Sequence, residues 1–138
     1  MKTLLAIAGA LPMVVLANSA CAQAFSGSWP LTVTHSQHAN GTYCLTLTDN
    51  GGLGWRHSGG ASLSGPRVGG TLPYGDFQLI RHTIMVTIDS PGAQSGVDTT
   101  LVFTAPAQSG SIGTGVYEDA YGETIDSGVV AFGAKGGC

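Results

Sequence analysis

Apolar and polar residues alternate with a period of two along much of the chain after residue 25. Trp29, Leu31 and Val33 fall on one face of a predicted strand, with Thr32 and Thr34 on the other. Tyr43, Leu45 and Leu47 alternate in the same way against Thr42, Cys44, Thr46 and Thr48. Successive side chains of an extended backbone point to opposite sides, so each run reads as a strand with one buried face. Asn40-Gly41 stands between the two runs and is a turn signal, because both residues tolerate positive φ. Asn50-Gly51-Gly52 is predicted to end the second strand.

Glycine dominates residues 51–70, where the pattern predicts a short strand near residues 61–64 and a loop at Gly65-Pro66-Arg67. Residues 77–88 predict either two strands or one strand broken near Arg81-His82, since one continuous strand of that length would be long. Ser90-Pro91-Gly92 reads as a turn, residues 100–105 as a strand with Leu101 and Phe103 on one face, and residues 106–110 as a turn. Residues 111–118 predict a strand with Ile112, Thr114 and Val116 opposite Gly113, Gly115 and Tyr117. Tyr121-Gly122-Glu123 is a predicted hairpin tip, and Val130 and Phe132 share a face of the final strand, residues 127–134. Roughly seven to nine short strands on tight turns imply antiparallel neighbours in an up-and-down meander. With few charged side chains to blunt an edge, closure is the expected remedy, so the fold class is all-β, a barrel of about eight strands. A sandwich is the alternative.

The first residues break this pattern. Lys2 precedes an apolar run at residues 4–16, interrupted by Pro12 and too short to span a bilayer. Small residues follow, with A-x-A matches at Ala20-Cys21-Ala22 and Ala22-Gln23-Ala24. Residues 1–24 therefore read as a signal peptide, cut after Ala24 in preference to Ala22, and residues 25–138 as one domain. A lipoprotein anchored through Cys21 would want an aliphatic residue where Asn18 stands. The expected location is secreted or periplasmic, and no membrane span is expected once the signal is removed. Cys44 and Cys138 remain, and an even pair in an exported chain reads as one disulfide.

After residue 24 there are four cations (Arg56, Arg67, Arg81, Lys135) against eight acids, a net charge of −4. Without a basic patch, nucleic acid is excluded as an expected partner. His35-x-x-His38 has a spacing that could offer two zinc ligands, but it lies among loop residues with no carboxylate or cysteine near in sequence, so solvated histidines are the plainer reading. Glu118, Asp119, Glu123 and Asp126 flank one hairpin. Paired carboxylates could do acid–base chemistry or hold calcium, yet no calcium-loop spacing is present and a solvated acidic tip is the plainer reading. No G-x-S-x-G elbow occurs, and Asn40-Gly41-Thr42, formally a glycosylation sequon, is better explained by the turn.

Gly27-Ser28-Trp29 at the head of the first strand resembles the Gly-x-Trp motif of the calycin superfamily, the lipocalins and avidins. The resemblance implies a barrel whose tryptophan closes one end beneath a cation from near the last strand, here Lys135. Avidin-type sites use several tryptophans, and this chain has Trp55 alone besides Trp29, so biotin binding is not implied. Gly27-Ser28-Trp29-Pro30-Leu31 with Cys44-Leu45-Thr46-Leu47 is also similar to small periplasmic inhibitors of bacterial metalloproteases. Those place an N-terminal segment in the protease cleft; their disulfide is local, whereas Cys138 is far from Cys44.

No catalytic set converges, so a binding protein is expected rather than an enzyme, with no cofactor and no metal. Its partner is a small apolar molecule in the lumen or a protein at the rim. An inhibitory or a structural role is the alternative. Trp55, Arg56 and His57, an aromatic beside a cation and an imidazole, are the candidate ligand-binding residues at a barrel mouth.

Overall fold

The computed structural model describes residues 24–53, 56–65, 70–90, 99–108, 110–121 and 124–138. Its ten strands are β1 (Gly27–Thr34), β2 (Gly41–Leu53), β3 (Arg56–Gly65), β4 (Gly70–Leu72), β5 (Gly75–Ile80), β6 (Thr83–Ser90), β7 (Thr99–Gln108), β8 (Ser111–Ile112), β9 (Gly115–Tyr121) and β10 (Thr124–Phe132). Eight of them form a ring in chain order. β1 pairs β2, β2 pairs β3, β3 pairs β5, and so on through β6, β7, β9 and β10, and β10 returns to β1. All these ladders are antiparallel, so the sheet is a closed up-and-down barrel. The short β4 and β8 add to β3 and β7. Among the described residues no helix is long and apolar enough to cross a membrane.

The alternation predicts the faces of β1 and β2. Trp29, Leu31, Val33, Tyr43, Leu45 and Leu47 are all buried in one continuous core. Residues 77–88 form two strands, β5 and β6, turned by Arg81 in the left-handed region (φ 60°) with Arg81 and His82 exposed.

Four expectations are corrected. The connection between β1 and β2 is a six-residue loop, 35–40, rather than a tight Asn-Gly turn; Asn40 accepts the Ser36 N–H (2.9 Å) and donates to the Ser36 carbonyl (2.7 Å). The second strand does not end at Asn50-Gly51-Gly52, which instead forms a bulge between Asp49 and Gly52. A Cβ on Gly52 would stand 1.7 Å from the Arg56 carbonyl oxygen, so the chain continues into β3 here on glycine alone. Arg56 and His57 thus lie in a strand, not a loop. β7 runs through Pro106 to Gln108, because Thr83–Pro106 is the last pair of its ladder with β6 and the missing N–H interrupts nothing. Finally, the break at Gly113-Thr114 reverses the phase of the next strand: Ile112 and Tyr117 are buried, while Val116 is 50% exposed.

Cys44 is bonded to Cys138, 94 residues away. Cys44 lies on the outer face of β2, and the tail reaches it by crossing β1: the Gly133 N–H donates to the Pro30 carbonyl (2.7 Å) and the Gly136 N–H to the Ser28 carbonyl (2.7 Å). The bond is therefore a strap over the seam where the first and last strands meet. Cys138→Ala should lower stability by no more than about 4–5 kcal/mol, the loop-entropy ceiling, and leave the strand signal in far-ultraviolet circular dichroism unchanged. Trp29→Ala should cost about 3–5 kcal/mol in denaturant titration, because Trp29 fills the core at 1% exposure.

Candidate functional site

Three carboxyl groups point inward because each continues the phase of a buried strand face. Asp49 follows Tyr43, Leu45 and Leu47; Asp126 shares the parity of Val130; Asp119 shares that of Tyr117. They occupy opposite ends of the barrel. One end holds Phe25, Trp29, Asp49 and His57, where β1 begins and β2 meets β3. The other holds the 35–40 loop, Asp119 and Asp126, where β9 and β10 meet and β1 ends.

At the first end Asp49 is held by several partners. Its Oδ1 accepts the Gly51 N–H (2.8 Å), its Oδ2 faces His57 Nδ1 (3.0 Å), and its own N–H reaches Ser26 Oγ (2.8 Å). An ionised carboxyl only accepts, so Nδ1 carries the imidazole proton in this pair. The Phe25 N–H also donates to Oδ2 (3.3 Å). The Phe25 ring stacks on Trp29 (6.5 Å between centroids) and meets His57 edge-on (5.9 Å), sealing this end. Lys135 lies along Gly27, where a Cβ would stand 2.6 Å from its Cε, and its Nζ donates to the Ala24 carbonyl (3.2 Å).

At the second end Asp126 organises the loop. It accepts the Ser36 hydroxyl and the N–H groups of Gln37 (2.9 Å) and His38 (3.1 Å). Burial opposes its charge, but the bonds from Ser36, Gln37, His38 and Ser127 outweigh burial and hold the carboxyl below the ordinary range. Asp119 sits directly opposite Asp126 on the neighbouring strand. Burial raises Asp119 above the ordinary range, with the charge of Asp126 adding to it and the contacts of Tyr117 and His38 working against it. Burial, then Asp119, likewise pushes the Tyr117 phenol far up. Tyr117 and Asp119 are near enough to perturb one another, yet their atoms do not close an aligned bond: the Tyr117 hydroxyl and Asp119 Oδ1 are buried without a hydrogen-bond partner among the described residues. Trp29 Nε1 is in the same condition.

The expected solvated acidic tip is therefore in part an interior feature. Glu118 is exposed, Asp126 is buried, Asp119 is half-buried, and Glu123 lies outside the described residues. Of the expected ligand-binding residues, Trp55 lies outside the described residues, Arg56 is exposed and His57 is buried against Asp49. Arg56 and His57 face opposite sides of β3, so the structure does not bring them together. His35 and His38 are exposed on the loop, and among the described residues no three His, Cys, Asp or Glu side chains are grouped to hold a metal ion. Asp126 has its oxygens engaged by the loop, which leaves Asp119 and Tyr117 as the groups with unused hydrogen-bonding capacity at this end. The signal for them is their shared parity within β9.

The fold and this polar interior define a closed eight-stranded barrel with one sealed end and one acidic end. Comparison with protein-family profiles, curated proteins and solved structures finds no match for the chain.

The two carboxyls should respond oppositely to neutralisation. Asp126→Asn should destabilise by about 2–3 kcal/mol at pH 7, because it weakens the hydrogen bonds that a buried charged carboxyl accepts from the 35–40 loop. The contribution of Asp126 is present above the unfolded carboxyl value near pH 4 and is lost as pH falls through its lowered folded value. Asp119→Asn should be neutral or stabilising at pH 7, because it removes a charge that burial penalises. Urea titrations of both variants at pH 7 and pH 4 check these signs.

Proposed function

We propose that the protein is an exported binding barrel that takes a small ligand bearing a protonated amine at the Asp119 end of its interior. The observation that carries this is the pair of buried groups without a hydrogen-bond partner among the described residues, the Tyr117 hydroxyl and Asp119 Oδ1, beside Asp126 inside a closed sheet. Buried polar groups are ordinarily satisfied, so an acceptor and a phenol left over together mark a place where an outside donor completes the set. Two carboxyls, one of them ionised below the ordinary range, favour a cationic donor over a neutral one, and the phenyl rings of Tyr117 and Phe103, 5.6 Å apart, offer apolar surface beside it. The ligand is thus more polar than the composition of the chain suggests.

Export is supported by the leader-like residues 1–24 and by the disulfide, a bond that persists in oxidising compartments. The sequential ring, the burial of Trp29 and the position of Lys135 along Gly27 support kinship with calycin-type barrels. The inhibitor reading drops behind, because Phe25 is folded into the barrel and a chain cut after Ala24 has no N-terminal arm to offer.

Calorimetric titration with phenethylammonium and with its neutral analogue phenylethanol tests the proposal. The amine should bind and the alcohol should bind at least about tenfold more weakly, one charged hydrogen bond's worth. Asp119→Asn should remove the difference, and amine binding should weaken as pH falls through the raised Asp119 value. Equal affinity for both probes, or amine binding unchanged in Asp119→Asn, would overturn it.

A further inference from the structure

Phe25 is almost fully buried, and its backbone nitrogen sits 3.3 Å from Asp49 Oδ2, inside the sealed end. The Asp49 side chain has no solvent exposure. A peptide N–H offers this carboxyl one donor and no charge. The bond immediately before that nitrogen joins it to Ala24, and Ala22-Gln23-Ala24 presents the small residues that leader peptidases read. We infer that hydrolysis between Ala24 and Phe25 turns this buried nitrogen into an α-ammonium ion paired with Asp49, so that removal of the leader completes the core.

The chemistry balances with water alone, delivered by a peptidase. Water adds across the amide, the Ala24 acyl group leaves as a carboxylate, and the freed Phe25 amine takes up a proton. Three N–H donors then stand where one stood. The charged and titratable groups facing them are Asp49 from β2, His57 from β3 beside the same oxygen, and Lys135 from the tail after β10. Lys135 reaches the Ala24 carbonyl, which departs with the leader; as an exposed side chain it exchanges that acceptor for water. The aromatic packing of Phe25 on Trp29 and His57 holds the nitrogen in place whether or not the bond is cut. The inference rests on reading residues 1–24 as a leader. It distinguishes the two possible cuts chemically, since a cut after Ala22 leaves the Phe25 nitrogen an uncharged amide.

The test has two arms. N-terminal sequencing of the protein exported by its own cell should return Phe25. A start at Gln23 would overturn the inference while leaving leader removal intact, whereas retention of residues 1–24 would overturn the leader reading on which the inference rests. The second arm compares chains beginning at Phe25 and at Gln23, both of which carry every described strand and both cysteines. An α-amino group raised by Asp49 from its ordinary value near 8 contributes fully below about pH 8 and loses that contribution as pH rises through its raised value. At pH 7 the unfolding constant of the Phe25 form should therefore be about tenfold smaller, for each pKa unit of upward shift. The advantage should fade above pH 9. Amine acylation at pH 8 gives a readout that needs no variant: the Phe25 amine should react at least about tenfold more slowly in the folded than in the urea-unfolded chain. Asp49→Asn should abolish the stability advantage. Equal stability of the two forms across pH 6–10, or an equally reactive amine in both states, would overturn the ion pair.

Discussion

Closure of the sheet through the β1–β10 ladder is the constraint on which the rest of the molecule depends. Leu31, Thr32, Val33 and Thr34 pair with Phe132, Ala131, Val130 and Val129, so the first strand is bonded on both edges and the sheet has an inside. Both ladder partners come from opposite ends of the chain, and loop closure must precede any return from that pairing. The C-terminal strap and its disulfide lie over the same seam, across Ser28 and Pro30 to Cys44. Reinforcement thus falls where the chain has the longest loop to close, on the wall's outer face, where it leaves the core side chains untouched.

An inside that is mostly apolar makes every inward polar group expensive unless it is paired. The barrel treats its three inward carboxyls in three ways. Asp126 is saturated by the 35–40 loop and becomes a structural cap, and its lowered titration is the signature of those bonds. Asp49 is shared between His57, the Gly51 amide and the Phe25 nitrogen, and so ties the N-terminal segment to β2 and β3. Asp119 keeps an oxygen without a partner and is raised. The same residue type is a cap, a tether and an open position, and the difference is the number of donors the neighbouring backbone brings.

Much of this was legible in the sequence. Alternation alone assigns the buried faces of β1 and β2 and the outward position of Cys44, and strand length points to the break at Arg81-His82. It failed where a strand departs from strict period two. The Asn50-Gly51-Gly52 run carries turn chemistry, yet a bulge uses the same glycines to let a strand continue, and tertiary pairing with β3 decides between them. Gly113-Thr114 shifts the count by one, which sends Val116 out and Tyr117 in. Asp119 falls beyond the predicted strand, residues 111–118, and reads with Glu118, Glu123 and Asp126 as a solvated tip. Asp126 and Asp49 needed no such correction: each lies an even number of residues from a buried apolar neighbour, Val130 and Leu47. Asp126 reads as surface because four acids around one hairpin suggest a solvated tip, and that outweighs its parity.

The two ends of the barrel therefore differ in kind. At the Phe25 end, aromatic rings cover the core and each oxygen of the inward carboxyl has a donor, with Trp29 Nε1 the polar atom there that lacks a partner among the described residues. At the Asp119 end, a phenol and a carboxyl oxygen are buried with no aligned partner. Stability alone would favour filling both ends the first way, since an inward charge raised by burial lowers the stability of the fold that holds it. A barrel that seals one end with rings and a paired carboxyl, and retains a penalised acid at the other, has the distribution that the proposed recognition at the Asp119 end requires.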